Sequence, residues 1–227
     1  MVSFKGAQFP QDVILHAAFF YVRYGVSYRD LEEILAERGV AVDHATLNRW
    51  VVRYASGLAT VAQRRKATTA PSWRLDETYV KVRGEWCYLY RAVDRNGQTL
   101  DFMLSEHRDE AAALRFMAQT ISSNGLPRAC AIDKSRANTT ALMGMNAALR
   151  KVGSDRRIRV YRSKYLNNTV EQDHRGVKRR IRPMLGFKSF RSATATLDGI
   201  ETAHMIRKGQ LGSGSGCPFE IYANLAA

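Results

Sequence analysis

From Trp73 onward the apolar residues of this chain change from helical spacing to alternation, and this change restricts the fold more than any other feature. Alternation predicts strands, because successive side chains of a strand point to opposite faces of the sheet. Three alternating segments are separated by glycine-containing turns and cover residues 73–82, 86–93 and 98–105. They predict an antiparallel meander of three strands.

The residues after this meander predict helices alternating with short strands. The expected order is a helix ending at Gly125-Leu126-Pro127, a strand over 128–133, a helix over 138–151, a strand over 158–161 and a last helix ending near Pro183. Three antiparallel strands followed by parallel strands with helical crossovers make a ribonuclease-H-like α/β fold, a mixed sheet flanked by helices. In that fold the first strand, the fourth strand and the last helix meet at one edge.

One acidic residue falls on each of these three elements. Asp76 lies in the first strand, Asp133 ends the fourth, and Glu171 lies near the start of the last helix. Three converging carboxylates can hold two divalent ions about 4 Å apart, which clamp the attacking and leaving oxygens of a phosphodiester. Oxygen ligands suit Mg²⁺ and also Mn²⁺. We therefore predict that Asp76, Asp133 and Glu171 are the catalytic residues and the metal ligands, with Asp76 bridging both ions.

The chain is strongly basic, with 35 Lys and Arg against 21 Asp and Glu and a net charge of +14. Between Arg150 and Arg191 fourteen basic residues stand against three acidic ones. Such a stretch attracts a polyanion. A solvated basic face, or contact with RNA or anionic lipid, would have the same composition. Because this stretch contains Glu171, a nucleic acid is favoured over a solvated face or a lipid surface.

The basic residues near Glu171 follow its side of the predicted helix. Arg175, Lys178 and Arg182 lie within about 40° of Glu171 at 100° per residue, which predicts contacts to the DNA backbone. Asp173 points away from Glu171 and is not expected to be a ligand. His174 is expected to make a local structural hydrogen bond. Glu77 is expected on the opposite strand face from Asp76.

The first 55 residues predict three helices. Ser27 and Asp30 resemble a capping box, and Asp43 can cap the third helix. The second and third helices surround a turn with Gly39, which is the helix-turn-helix pattern. The outer face of the third helix carries the candidate DNA-contact residues His44, Asn48, Arg49 and Arg53, because Arg can read guanine and Asn can read adenine. An ordinary helical hairpin without a DNA role would show the same spacing.

Several protein classes do not fit this composition. No stretch approaches the roughly 18–20 apolar residues of a membrane span, and the first residues lack an apolar signal region. The three cysteines are scattered and lack metal-ligand spacing, which favours a reducing cytoplasm over a disulfide framework or zinc site.

The longest motifs resemble those of the DDE transposases of the bacterial insertion-sequence family numbered six. The matching stretches are SYRDLEEILAERGVAVDHATLNRWV, WRLDETYVKVRGEWCYLYRAVDRNGQTLDF, IDKS, KYLNNTVEQDHRGVKRRIRPMLGFKSF and IRKGQ. The resemblance implies a bacterial, nucleoid-associated enzyme with the triad Asp76, Asp133 and Glu171. It also implies a divalent metal, and binding to double-stranded DNA at terminal inverted repeats. Such an enzyme nicks the 3′ ends of its element and joins them to target DNA, forming cointegrates by replicative transposition, and we expect it to act as a homo-oligomer on DNA.

The expected domains are a helix-turn-helix domain over 1–55, a linker over 56–72, a catalytic domain over 73–208 and a flexible tail over 209–227. The chain departs from the family pattern in this linker, in the 37 residues between Asp133 and Glu171, and at Asn48, where relatives often carry an aromatic residue. Two competing functions remain, a DNA-binding regulator that has lost catalysis and a structure-selective nuclease of the same fold. The intact triad argues against the regulator, and the helix-turn-helix argues against the nuclease.

Overall fold

The computed structural model describes residues 2–133, 136–163, 165–212 and 216–227. The strands are β1 (Ser72–Val82), β2 (Glu85–Asp94), β3 (Thr99–Ser105), β4 (Ala129–Ile132) and β5 (Arg159–Arg162). The α-helices are α1 (Gln11–Arg23), α2 (Tyr28–Ala36), α3 (His44–Arg65), α4 (Glu110–Asn124), α5 (Arg136–Lys151), α6 (Asn168–Ile181), α7 (Phe190–Arg207) and α8 (Pro218–Ala223). Two 3₁₀ turns, Tyr165–Asn167 and Arg182–Met184, flank α6.

The five strands form one mixed sheet in the order β3-β2-β1-β4-β5. β1 pairs antiparallel with β2, and β2 with β3. β4 pairs parallel with β1, and β5 with β4, across helical connections. This arrangement confirms the predicted ribonuclease-H-like α/β fold.

The core of the sheet lies between β1, β2, β4 and the helices α4 and α5. Trp73 and Leu75 of β1 and Tyr90 of β2 pack there against Phe116 of α4 and Leu142 of α5. These strand residues occupy the same face because their sequence positions alternate with Arg74 and Asp76 on β1. The packing explains the alternating pattern from Trp73 onward.

The chain divides into two units that differ from the expected domains. The sheet unit is Thr68–Arg175, and the helical unit combines Met1–Ala67 with Gly176–Ala227. Compared with the expected helix-turn-helix domain, the helical unit also contains α7, which contacts α1 and α3. Gly199 of α7 permits this close packing, because a Cβ there would lie 2.6 Å from Val22 Cγ1. The sequence pattern did not reveal this long-range pairing of helices.

The first helices of this unit begin where the sequence predicted. Ser27 and Asp30 exchange side-chain and backbone hydrogen bonds at the start of α2, which confirms the capping box. Asp43 accepts from the backbone N–H groups of Ala45 and Thr46 at the start of α3. The inner face of α3 is buried at Leu47, Trp50, Val51 and Tyr54.

The predicted linker over 56–72 is wrong for its first ten residues, because α3 continues to Arg65. Leu58, Ala59 and Ala62 extend the buried stripe of α3. Small residues are common in this segment, and such side chains allow close packing along a helix. The apolar period of 3 to 4 residues was the better guide to the structure.

The tail after residue 208 was predicted to be flexible, and this is wrong for its last residues. α8 lies there, and Tyr222 and Leu225 are buried against Leu15, Phe19 and residues of α3 and α7. Arg65 also donates to the carbonyl oxygens of Asn224 (2.6 Å) and Ala227 (3.3 Å). The stretch before α8 is rich in glycine and serine, a composition typical of flexible chain, and its residues 213–215 lie outside the described ranges.

Candidate active site

The acidic residues of the sheet unit meet where β4 ends beside β1. β4 pairs with β1 only as far as Ile132, which lies opposite Leu75. Asp76 and Glu77 follow Leu75 on β1, and Asp133 follows Ile132. One carboxylate oxygen from each of the three residues lies within 4.8 Å of the others. We call Asp76, Glu77 and Asp133 the acidic cluster.

The structure thus brings together two of the three predicted ligands, Asp76 and Asp133, and adds Glu77. Glu77 does lie on the strand face that packs against α5, where Asn138 Nδ2 donates to its carboxylate at 2.8 Å. Because β4 has ended at this level, both neighbouring carboxylates can still turn towards the open edge of β1. Glu77 and Asp76 thus lie on opposite faces of β1, as expected from the sequence. Their carboxylates are nevertheless close together.

Arg108, from the loop before α4, balances part of the negative charge of the cluster. Its Nη2 lies 3.4 Å from Glu77 Oε2 and 3.6 Å from Asp133 Oδ2. Burial raises the pKa of Glu77 to about 7, Arg108 opposes this shift, and Asp133 and Asp76 add to it. Neighbouring carboxylates that repel one another favour a divalent cation, because its charge offsets the repulsion. The donor set, all carboxylate oxygens, fits Mg²⁺ or Mn²⁺.

Helix α6 contacts the sheet at the level of the acidic cluster through two adjacent residues. Asp76 and Arg91 are register partners on β1 and β2. His174 Nε2 lies 3.2 Å from Asp76 Oδ2, and Arg91 Nη2 lies 2.6 Å from Asp173 Oδ2. The side chains of Arg91, Asp173 and His174 are almost fully buried. His174 therefore lies within ion-pair distance of the predicted metal ligand itself, and the expected local hydrogen bond of His174 stays a prediction.

Glu171 occupies the first turn of α6 and is exposed. It lies outside the acidic cluster as the described residues define it. Just before α6, Asn167 Nδ2 donates to the carbonyl oxygen of Leu75 at 3.2 Å, the residue that precedes Asp76. Glu171 thus lies on the segment between two anchors to β1, at Asn167 and His174, and its role as the third ligand stays a prediction.

The three predicted backbone-contact residues near Glu171 are exposed. Arg175 and Lys178 lie on α6, whereas Arg182 lies beyond its end, in the following 3₁₀ turn. The assignment of these three residues to the DNA backbone therefore stays a prediction, with Arg182 placed just after the helix that carries the other two. A proline at position 183 ends the helix before Arg182 can continue it.

Three of the candidate DNA-contact residues of α3 contact side chains of α2 or of α3 itself. His44 Nδ1 lies 2.9 Å from Glu32 Oε2 of α2, Arg49 Nη2 donates to Thr46 Oγ1 at 2.5 Å, and the Arg53 guanidinium lies 5.3 Å from the Tyr54 ring centre. All three side chains are exposed.

Asn48 differs from these three because it is half-buried and its side chain lies beside Tyr28 of α2. A groove of about 850 Å³ in the helical unit is lined by His44, Asn48 and Arg49, together with Arg180 and Lys188. Four of these five side chains can carry positive charge, so the groove can receive an anionic backbone.

Comparison with known proteins identifies the family. A family model described as a DDE domain matches residues 70–210, and one described as the transposase IS66 family matches residues 11–126. The Staphylococcus aureus transposase for insertion sequence-like element IS431mec is 41% identical over 209 residues, covering 92% of this chain and 90% of the relative. The S. aureus transposase for element IS257 in transposon Tn4003 is 40% identical over the same shares.

The chain belongs to the DDE transposase family. It is therefore a DNA transposase, a polynucleotidyl transferase, and its partner is DNA. This confirms the family resemblance of the sequence motifs. None of the helices in the described ranges is long and apolar enough to cross a membrane.

Solved structures give weaker likenesses to this DDE transposase. The dimeric HTLV-2 integrase catalytic core domain in complex with magnesium is 17% identical, covers 69% of this chain and 99% of its own, and has a TM-score of 0.46. A simian T-cell lymphotropic virus intasome in complex with the PP2A regulatory subunit B56 gamma is 15% identical, with coverages of 70% and 56% and a TM-score of 0.46.

Sequence reasoning missed the residues that surround the two aspartates of this DDE transposase. Glu77 could have been found, because a fourth strand ending at Ile132 leaves the neighbouring edge of β1 open from Asp76 onward. Arg108 comes from a loop without periodicity, and Asn138 depends on how α5 packs on the sheet. Neither residue carries a sequence signal that distinguishes it from other polar residues.

Proposed function

We propose that this DDE transposase binds the terminal inverted repeats of its element, nicks the 3′ ends and joins them to target DNA. The observation that carries the proposal is the clustering of Asp76 and Asp133 at the end of β4, beside the helix that bears Glu171. The joining reaction conserves bonds: a 3′-hydroxyl oxygen attacks a target phosphorus, a phosphodiester bond breaks, and the leaving oxygen takes up a proton.

Asp76, Asp133 and Glu171 are the proposed ligands of two Mg²⁺ ions, which Mn²⁺ can replace. When bound, such ions polarise the phosphodiester and favour ionisation of the attacking hydroxyl. Asp76 is the proposed bridging ligand, and His174 holds its carboxylate from the α6 side. Arg108 lies beside Asp133 and Glu77 and limits the repulsion between these acids and an approaching phosphate.

Support for Glu171 as the third ligand comes from the two anchors of its helix segment. Asn167 contacts the backbone of Leu75, and His174 contacts Asp76, so the first turn of α6 is fixed close to β1. Glu77 is the competing third ligand, because its carboxylate already lies in the acidic cluster. Its contacts with Asn138 and Arg108 favour a supporting role instead.

DNA recognition is assigned to His44, Arg49 and Arg53, with Asn48 contributing if it leaves Tyr28. Arg175, Lys178 and Arg182 are assigned to the phosphate backbone near the scissile bond. Joining two ends in one event requires at least two bound copies, so we propose that the protein acts as a homo-oligomer on DNA. Replicative, cointegrate-forming transposition is the proposed outcome in the bacterial cytoplasm, in association with the nucleoid.

The test uses the full-length protein, labelled DNA carrying the element's terminal repeats, and target plasmid with Mg²⁺. Asp76→Ala, Asp133→Ala and Glu171→Ala are each expected to reduce nicking and joining to background while end binding is retained. Glu77→Gln is expected to keep measurable joining, because its proposed role is supportive. An Asp76→Ala protein that still joins ends to plasmid would refute the assignment.

The two competing functions give different results in the same assay. A structure-selective nuclease would cut the DNA but would not join the ends. A regulator that has lost catalysis would bind the repeats and would do neither, and Asp76→Ala would then change nothing. Cointegrate plasmids recovered from cells carrying a marked element would support the replicative outcome.

A further inference from the structure

The hairpin of β1 and β2 carries a group of exposed aromatic side chains. Tyr79 and Trp86 are 51% and 59% exposed, and Tyr88 is half-buried beside them. The ring centres of Tyr79 and Tyr88 are 5.4 Å apart, and those of Tyr79 and Trp86 are 6.0 Å apart. We call these three residues the hairpin platform. Neighbouring exposed aromatic rings of this kind mark an interaction surface.

The platform does not result from a poorly packed hairpin. On the opposite face of the same strands, Val80, Val82, Cys87 and Leu89 are at most 5% exposed. The hairpin is therefore firmly packed from one side, and its other side presents flat rings. A rigid backbone lowers the entropic cost of binding a flat ligand on such rings.

The platform continues the face of β1 that carries Glu77. Tyr79 is two residues further along the strand, which is about 7 Å. Arg108, which contacts Glu77 and Asp133, also lies close to Tyr79. A DNA strand with its scissile phosphate at the acidic cluster would place a neighbouring nucleotide over the platform.

Cationic groups accompany the rings. Lys81 Nζ lies 5.9 Å from the centre of the Trp86 ring, and the adjacent Arg83 is exposed at the turn. Aromatic rings beside cations suit a nucleotide, whose base stacks while its phosphate pairs with the cation. In a symmetric dimer through this face, the same cations of two copies would approach each other, which disfavours self-association.

We propose that the hairpin platform stacks an unpaired nucleobase of the DNA strand that is cut at the acidic cluster. The proposal rests on the proposed function, because that function places a DNA strand at Asp76. Stacking on Trp86 and Tyr79 tolerates any base, since every base offers a π-face. The platform would hold the strand in place while its neighbouring phosphate reacts.

The first experiment measures binding of the full-length protein to the single-stranded 12-mer dT12 and to a 12-base-pair duplex of arbitrary sequence, by fluorescence anisotropy at fixed salt. Trp86→Ala and Tyr79→Ala are each expected to weaken dT12 binding about 10-fold and to change duplex binding less than twofold. The matched control is Tyr161→Ala, which removes an exposed tyrosine of β5 and is expected to change neither.

A second measurement uses tryptophan fluorescence and does not depend on an alanine variant that folds. The chain has three tryptophans; Trp50 and Trp73 are buried, and Trp86 is exposed. The fluorescence of the wild type is expected to be quenched by dT12. Trp86→Phe, which keeps an aromatic ring, is expected to bind dT12 almost normally without this quenching.

Unchanged dT12 affinity in Trp86→Ala, or equal quenching in wild type and Trp86→Phe, would overturn the proposal. So would a wild type that sediments as a dimer when Trp86→Ala sediments as a monomer, because the platform would then be a subunit interface. These results are independent of strand joining. A protein that fails to join ends, yet shows the expected dT12 results, would contradict the proposed function. The hairpin platform would still be a surface that stacks an unpaired base.

Discussion

The acidic cluster and the first turns of α3 both carry predicted functional side chains, but the cluster and Arg49 of α3 are held in different ways. Asp76 is contacted by His174 and Glu77 by Asn138, partners 98 and 61 positions further along the chain. Arg49 donates to Thr46, only three positions earlier in the same helix. The side chains of the cluster are therefore fixed by tertiary packing, whereas Arg49 can rearrange when DNA arrives.

This difference suits the two proposed tasks, chemistry at the acidic cluster and DNA recognition by α3. Chemistry on a phosphodiester requires ligands that are in place before the substrate binds, because reorganisation at the moment of reaction would cost rate. Recognition of a base tolerates side chains that adjust to the groove. Substitutions around the cluster should therefore have large effects on stability, and substitutions on α3 should have graded effects on affinity.

The largest expected effect on stability is at Arg91, which secures α6 beside the cluster. Arg91→Ala leaves the buried carboxylate of Asp173 without its guanidinium partner. The free energy of unfolding should fall by about 3–5 kcal/mol, measured by urea denaturation at pH 7. Arg95→Ala, an exposed arginine in the turn after β2, is the control and should change stability by less than about 0.5 kcal/mol.

Replacing both partners of that pair separates charge burial from packing. Arg91→Met combined with Asp173→Leu should be less destabilising than Arg91→Ala, since neither charge is left buried alone. If Arg91→Ala unfolded at nearly the same urea concentration as the wild type, the ion pair would not be what holds α6 to the sheet.

The next effect concerns pH, through Glu77. Its pKa is about 4.5 in the unfolded chain and about 7 in the folded protein, so between these values the folded state binds more protons. In EDTA, the contribution of Glu77 to the free energy of unfolding should fall as pH rises from about 4.5 to 7 and remain lower above that. Glu77→Gln cannot ionise and should be more stable than the wild type at pH 8 by about 3 kcal/mol, with no difference at pH 4.

Denaturation across a pH series checks this, with Glu85→Gln, an exposed glutamate of the same hairpin, as the control that should follow the wild type. Adding Mn²⁺ at pH 8 should narrow the gap between Glu77→Gln and the wild type, because a cation stabilises the ionised cluster. A gap that is the same at pH 4 and pH 8 would mean that the substitution acts through packing rather than through charge.

The sequence predicted those parts of the structure that depend on neighbours along the chain. Strand alternation from Trp73 and the caps at Ser27 and Asp43 are local, and the structure has them. The continuation of α3 to Arg65 and the packing of α8 depend on contacts with distant helices, so small residues and glycines were misread. In the candidate site, Asp76 and Asp133 followed from strand order, while Arg108 and Asn138 depended on tertiary packing that no spacing in the sequence encodes.

On α3, the expected effect is smaller and concerns sequence preference. Arg49→Ala should weaken binding to the terminal repeat by about 1–3 kcal/mol and relax the preference at one base position. Gel-shift titrations on repeat and random duplexes measure this, with Arg64→Ala, an exposed arginine far from the start of α3, as the control. Equal weakening on both duplexes would show that Arg49 contacts phosphate and carries no base preference.

The smallest expected effect is at Lys178, because a single phosphate contact contributes little affinity at physiological salt. Each lost contact should lessen the slope of log K against log salt by about 0.9, and Lys178→Ala should therefore bind repeat and random DNA less tightly by the same factor. Lys5→Ala, which removes an exposed lysine near the first residue of the chain, makes the same change in net charge and should leave the slope as it is. If Lys178→Ala instead lowered the melting temperature with an unchanged slope, Lys178 would stabilise the fold, and the exposed basic face of α6 would not be the surface that follows the DNA backbone.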